Sequence, residues 1–316
     1  MADLPKRVKI VEVGPRDGLQ NEPEPIPTNI KLSFIDALAH SGLQHIEATA
    51  FVHPKAIPQL ADAIDVAKNL PPHPCVEYSA LVPNQRGLDR ALESGIRRIA
   101  VFTAASDEFA KKNINMSVEE SLAVFQPVIA SAITGGMTVR GYVSTSFVCP
   151  YAGEISKERV LDVAKRLIDM GCDEVAISDT IGAAAPSDID RTVGHVLQFV
   201  PAAQIALHLH DTYGTALANV LAGLQLGISN FDSSAGGLGG CPYAKGAAGN
   251  LATEDLVYFL DRMGIESGVR LNDVAMASML ISDQLKRELP SKQLKRLNAA
   301  RRANGNQQNG ESPNSN

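Results

Sequence analysis

Two rhythms of apolar residues alternate along this chain. Short β-rich runs fall at about Val8–Val13, His45–Thr49, Val76–Leu81, Arg98–Phe102, Thr138–Ser144, Glu174–Ser178, Gln204–His210 and Asn230–Ser233. Between them lie stretches of helical periodicity. The first carries Leu32, Ile35, Leu38 and Ala39 behind a candidate cap at Thr28. Others run near Ile57–Leu70, Asn84–Ser94, Ser117–Thr134, Ser156–Met170, Pro186–Phe199, Tyr213–Leu226 and Asn250–Met263. One phrase recurs where helix gives way to strand: a glycine, two or three residues, then an apolar run, at Gly42, Gly95, Gly171 and Gly227. Glycine there suits the left-handed residue that ends a helix. The repeated βα step predicts an α/β protein with a parallel sheet, and eight repeats predict a (β/α)8 TIM barrel. A doubly wound open sheet is the alternative, but no G-x-G-x-x-G follows the first strand.

The pattern also predicts domain limits. Residues 1–300 read as one domain, with the barrel at about 8–263 and a C-terminal helical extension at about 271–300. Residues 301–316, rich in Asn, Gln, Gly and Ser without periodicity, read as a disordered tail.

Composition narrows the class. The 316 residues are 45% hydrophobic and 20% charged, with no Trp, so the core must be aliphatic. A net charge of −6 gives no basic footprint for nucleic acid. No apolar run reaches membrane-spanning length. Cys75, Cys149, Cys172 and Cys241 are far apart and form no C-x-x-C pair, which suits a reducing compartment and a cytoplasmic protein.

In such barrels chemistry collects at the C-terminal ends of the strands. The seventh run ends in His208-Leu209-His210-Asp211. Alternation puts both imidazoles on one strand face, which makes half of a divalent-metal site or, alternatively, two satisfied core histidines. After the first strand stands Gly14-Pro15-Arg16-Asp17-Gly18, where Asp17 offers a hard oxygen ligand. Glu47 interrupts the second run, and a carboxylate inside a barrel needs a cation or a strong donor. Asp179 ends the sixth run and serves either the site or the cap of the next helix. The eighth strand leads into a glycine-dense loop holding Cys241, which reads as a lid with a catalytic thiol or as an inert cysteine. Asn250, at the expected start of the last barrel helix, either caps that helix or completes a metal shell.

Four segments carry a resemblance. Gly14-Pro15-Arg16-Asp17-Gly18-Leu19-Gln20-Asn21-Glu22, Lys111-Lys112-Asn113-Ile114-Asn115, His208-x-His210-Asp211-Thr212-Tyr213-Gly214 and Gly237-Leu238-Gly239-Gly240-Cys241-Pro242-Tyr243-Ala244 closely resemble the 3-hydroxy-3-methylglutaryl-CoA lyase family of barrel metallolyases. Gly249-Asn250-Leu251-Ala252-Thr253-Glu254-Asp255 continues the match, which covers about residues 8–270. The resemblance implies a carbon–carbon lyase that cleaves 3-hydroxy-3-methylglutaryl-CoA to acetyl-CoA and acetoacetate, in leucine or ketone-body catabolism. It implies Mg2+ or Mn2+ held by Asp17, His208, His210 and Asn250. Arg16 would steady the enolate oxygen, Cys241 would act as an acid/base thiol, and Glu47, Asp179 and His208 would complete the catalytic group. Arg16, Gln20, Lys111, Lys112 and Asn113 would bind the acyl-CoA, although paired lysines also suit a solvated face. A homo-oligomer, dimer or tetramer, is expected. The alternatives are a metallolyase for another 3-hydroxyacyl-CoA, a Claisen-condensing synthase, or a non-catalytic barrel that binds ligands. In this sequence Ser178, Ala183-Ala184-Ala185, Leu209 and Ala235-Gly236 depart from the usual lyase pattern, but every ligand position is filled.

Overall fold

Eight of the apolar runs form strands that hydrogen-bond in parallel and close on themselves. The computed structural model describes residues 4–239 and 249–308, with side chains as far as Arg301. Its barrel strands are β1 (Lys9–Glu12), β2 (His45–Ala50), β3 (Glu77–Leu81), β4 (Arg98–Ala104), β5 (Thr138–Ser144), β8 (Glu174–Asp179), β9 (Ile205–Leu209) and β10 (Asn230–Ser233). A small hairpin, β6 (Val148–Cys149) and β7 (Gly153–Glu154), sits between the fifth and sixth of them. The closed order is β1-β10-β9-β8-β5-β4-β3-β2. The expected TIM barrel is therefore present, and the open sheet is excluded. Glycines of the recurring phrase behave as predicted: Gly42 and Gly171 sit at φ +99° and +110°.

The aliphatic composition is spent in two places. The large cluster, with Phe34, Leu38, Ile99, Val139, Leu207 and Phe231, lies between helices and strands. Inside the barrel a smaller cluster is built mainly of alanines: Ala50, Ala100, Ala176 and Ala206, with Leu81 and Tyr142. Such short side chains leave room in the lumen for long polar ones. Period-two alternation puts Arg140 and Tyr142 of β5 on that inner face, beside Glu174 of β8 and Asp232 of β10. All four are buried. Arg140 Nη2 donates to Asp232 at 2.7 Å, and its Nε lies 2.9 Å from Glu174.

Several helices differ from their expected spans. Thr28 is the first helical residue of Thr28–His40, not its cap. Its hydroxyl instead donates to Asp62 at 2.7 Å. The Ile57–Leu70 stretch breaks into a 3-10 turn, Pro58–Leu60, and a short helix, Ala63–Lys68. The Lys111–Asn113 segment lies on an unforeseen helix, Asp107–Ile114, whose cap is Ser106. The last barrel helix starts at Thr253, so Asn250 precedes it and does not cap it. Two helices follow, Leu271–Leu285 and Lys292–Gln308. The second runs past residue 301 into the expected tail, because Ala299, Ala300, Arg301, Arg302 and Ala303 are strong helix formers. No described helix is long and apolar enough to cross a membrane.

Candidate active site

The mouth of the barrel gathers side chains that lie far apart in sequence. After β1 the chain makes a single π turn, Gly14–Gly18, and this turn is wholly buried. It aims Arg16 and Asp17 back over the strand ends. A Cβ on Gly18 would stand 2.7 Å from the Leu238 side chain, so the close approach of turn and glycine loop requires glycine there. Two strands along the closed sheet from β1, β9 presents His208 and, just beyond its end, His210. One donor atom from each of Asp17, His208 and His210 lies within 4.8 Å of the others. Asn250 joins them through an isolated bridge to His210. Its amide donates to Asp17 Oδ2 at 2.8 Å and to the Leu238 carbonyl at 3.1 Å.

The two imidazoles are aimed at one point. Their Nε2 atoms stand 3.2 Å apart. His208 Nδ1 is tied to Asp232 Oδ2 at 3.0 Å, which places the proton on Nδ1 and leaves the Nε2 lone pair facing His210. His210 Nδ1 is buried with no hydrogen-bond partner among the described residues. Two nitrogens so close must either share a proton or oppose two lone pairs, and sharing leaves a bare, buried acceptor on His210. A cation between them and Asp17 relieves that conflict, so the residues fit a divalent metal. Burial, then the neighbouring His208, lowers the His210 pKa to about 3, which keeps its imidazole neutral. Burial opposes ionisation of Asp17, yet Arg16 and the two histidines lower its pKa to about 2. At neutral pH the Asp17 carboxylate is thus ionised and the His210 imidazole beside it neutral.

Arg16 is clamped beside this cluster. Its Nε donates to Glu47 and its Nη1 to Asp17. Its guanidinium carbon lies 5.5 Å from the Tyr142 ring centroid. Burial works against its charge, but Glu47 and Asp17 raise its pKa further, so it stays charged. Glu47 also accepts the Tyr142 hydroxyl at 2.7 Å. A cavity of about 590 Å3 opens onto the group, lined by Arg16, Asp17, Gln20, Asn113, Tyr142, Ser178, His208 and His210 among others. Gln20 is held there by its 2.9 Å bond to Asp17.

A profile described as HMGL-like matches residues 7–281. The chain belongs to that family. Among HMGL-like relatives, the mitochondrial hydroxymethylglutaryl-CoA lyase of Rattus norvegicus is 51% identical over 292 residues, covering 92% of this chain and 90% of its own. Hydroxymethylglutaryl-CoA lyase YngG of Bacillus subtilis is 50% identical, at 92% and 97% coverage. The crystal structure of the Bacillus subtilis HMG-CoA lyase superposes with a TM-score of 0.92 at 49% identity, covering 93% of this chain and 99% of that one. An HMG-CoA lyase from Acinetobacter baumannii, solved with coenzyme A and 3-methylmalate, gives 0.88 at 36% identity, with 93% and 96% covered.

Not every expected residue reaches the site of this HMGL-like barrel. Asp179 faces away from the lumen: Ser178 and Thr180 line the cavity, and the residue between them must point the other way. Its carboxylate accepts the amides of Ala183 and Ala184 at 3.0 Å each, pinning the turn after β8. It does not cap the next helix, Pro186–Val196, whose cap position is Ala185. Glu47 does not line the cavity either; it holds Arg16 and Tyr142 from beneath. Lys111 and Lys112 are exposed and outside the lining, with Lys112 Nζ 4.8 Å from the Tyr151 ring centroid. Cys241 lies outside the described residues. Sequence reasoning missed Asp232, Arg140 and Tyr142. The available signal was a charged or polar residue inside a short β-rich run, the same signal that picked out Glu47.

Proposed function

We propose that this chain is a divalent-metal-dependent carbon–carbon lyase that cleaves 3-hydroxy-3-methylglutaryl-CoA to acetoacetate and acetyl-CoA. The observation that carries the reading is Asp17, His208 and His210 converging beside Arg16 on one cavity, in a chain about half identical to lyases of that name. Asp17, His208, His210 and Asn250 would hold the ion. Oxygen and imidazole donors without thiolate suit Mg2+ or Mn2+. When bound, the ion supplies Lewis acidity that eases loss of the substrate's tertiary hydroxyl proton.

The chain's own residues account for the rest. As a base at the site takes the hydroxyl proton, the carbinol carbon becomes the ketone of acetoacetate. The bond to the thioester α-carbon breaks, and its electron pair stays with that carbon as an enolate. Charge then grows on the thioester oxygen. Arg16 is fixed by Glu47 and Asp17 before the reaction begins, so its guanidinium meets this charge without reorganising. Cys241, within the glycine-rich segment, would return a proton to the α-carbon to give the acetyl methyl group. Gln20 and Asn113 would contact the acyl portion, and Lys111 and Lys112 the phosphates of coenzyme A. A cytoplasmic homo-oligomer working in leucine degradation belongs to the same reading; the described cysteines are free thiols, as a reducing compartment requires.

The test is product release. Acetoacetate and acetyl-CoA should form from 3-hydroxy-3-methylglutaryl-CoA, stop after EDTA treatment, and return with Mg2+ or Mn2+. Purified protein that forms neither product with either ion present would overturn the reading.

A further inference from the structure

A second cluster of ligand-type side chains lies outside the active site. Asp36 and His40 are four residues apart on helix Thr28–His40, so they share one face of its last turns. His73 meets them from the loop that leads into β3. Its Nε2 lies 2.9 Å from Asp36 Oδ1, and His40 Nδ1 lies 3.6 Å from the same oxygen and 2.9 Å from the Asp36 backbone carbonyl. The two imidazoles pack edge to face with centroids 4.5 Å apart. One donor atom from each residue falls within 4.8 Å of the others.

Donors bound to a tetrahedral zinc ion at about 2.0–2.1 Å stand roughly 3.3 Å from one another. The separations of 2.9 and 3.6 Å bracket that value. The loop is also held ready. Pro71, Pro72 and Pro74 flank His73 and fix the backbone around it. Tyr78 donates its hydroxyl to the Pro71 carbonyl at 2.9 Å, and the Val76 amide bonds the His73 carbonyl at 3.1 Å. His73 therefore gives up little conformational freedom on binding. Its side chain is 20% exposed, against 47% for Asp36 and 66% for His40, so solvent can supply a fourth ligand.

We infer that Asp36, His40 and His73 form a surface site for a borderline divalent transition ion of the zinc class, distinct from the metal centre at the barrel mouth. Two imidazoles and one carboxylate at four-coordinate spacing, without the further amide that Asn250 adds at the barrel mouth, favour Zn2+, Co2+, Ni2+ or Cu2+ over Mg2+ or Ca2+. The ion takes the place of the proton shared by His73 and Asp36, and His40 Nδ1 exchanges its bond to the Asp36 carbonyl for the ion as third donor. It ties the end of the first barrel helix to the loop before β3.

Zinc chloride is the probe, titrated into the full chain in a His210→Ala background that weakens the barrel-mouth site. Bound zinc is counted by atomic emission after gel filtration, alongside the shift in Tm. The background protein should retain about one zinc per chain and gain thermal stability. His40→Ala and His73→Ala, each added separately, should lower retention at least tenfold and abolish the gain. His40 is mostly exposed, so its removal tests the site without disturbing packing. Equal zinc retention with and without His40 and His73 would overturn the proposal, as would no zinc-dependent Tm shift in the background protein.

Discussion

Asp232 and His208 stand in direct register across β10 and β9, and His208 Nδ1 bonds the Asp232 carboxylate at 3.0 Å. Arg140 holds the other oxygen of that carboxylate at 2.7 Å. Burial alone would raise the Asp232 pKa, yet Arg140 and His208 bring it below its ordinary value. A permanently ionised carboxylate thus fixes which nitrogen of His208 carries the proton.

Asp232→Asn should therefore weaken metal binding without removing a ligand. The amide can present a donor to His208 and invert its tautomer, so Mn2+ affinity should fall about 10- to 100-fold. Titration of the metal-free variant with Mn2+ measures this. An affinity within twofold of wild type would mean that the pair does not set the tautomer.

Arg16→Lys should keep the charge and lose the planar fork that Glu47 and Asp17 grip. We expect kcat to drop at least 100-fold, about 2.7 kcal/mol of barrel-mouth stabilisation in the transition state, with metal content unchanged. A variant within tenfold of wild type would assign Arg16 to architecture.

Cys241→Ala should cut kcat severely while metal occupancy stays the same, and alkylation of the wild-type thiol should inactivate, more slowly with a substrate analogue present. The chain enters the Cys241 segment through Gly239 at φ +103°, where a Cβ would lie 2.5 Å from the Asn250 amide nitrogen. Gly239, two residues before Cys241, therefore packs directly against Asn250. An alanine variant with most of its activity makes the thiol a bystander.

Stability should decline as pH rises through neutrality, partly through Glu254. This carboxyl is wholly buried, and desolvation raises its pKa to about 7 against bonds from Ser278 and Gly236. A raised carboxyl pKa favours the protonated folded state. Its contribution is complete below pH 4.5 and is lost as pH passes 7, worth about 3 kcal/mol in all. Denaturant unfolding at pH 5 and pH 8 should show a smaller loss in Glu254→Gln than in wild type. Equal losses would mean that the carboxyl titrates normally.

How much of this was legible in sequence differs by residue. The eight strands, their parallel order and the pairing of His208 with His210 on one face follow from period and residue type, which are local properties of the chain. So do Glu47 as a buried carboxylate and Asp17 as a residue at a strand mouth. The roles of Glu47 and Asp179 were not local. Each is a carboxylate at or near a strand end; closure of the barrel decides that Glu47 meets Arg16 and Tyr142, and the turn after β8 brings the Ala183 and Ala184 amides to Asp179. Asp232 illustrates the same limit. Its neighbours in sequence are Phe231 and Ser233, but its partners are Arg140 and His208, 92 and 24 residues away. Local periodicity says which way a side chain faces. Which charges it meets there is set by strand register around a closed sheet, and that register is a property of the whole fold.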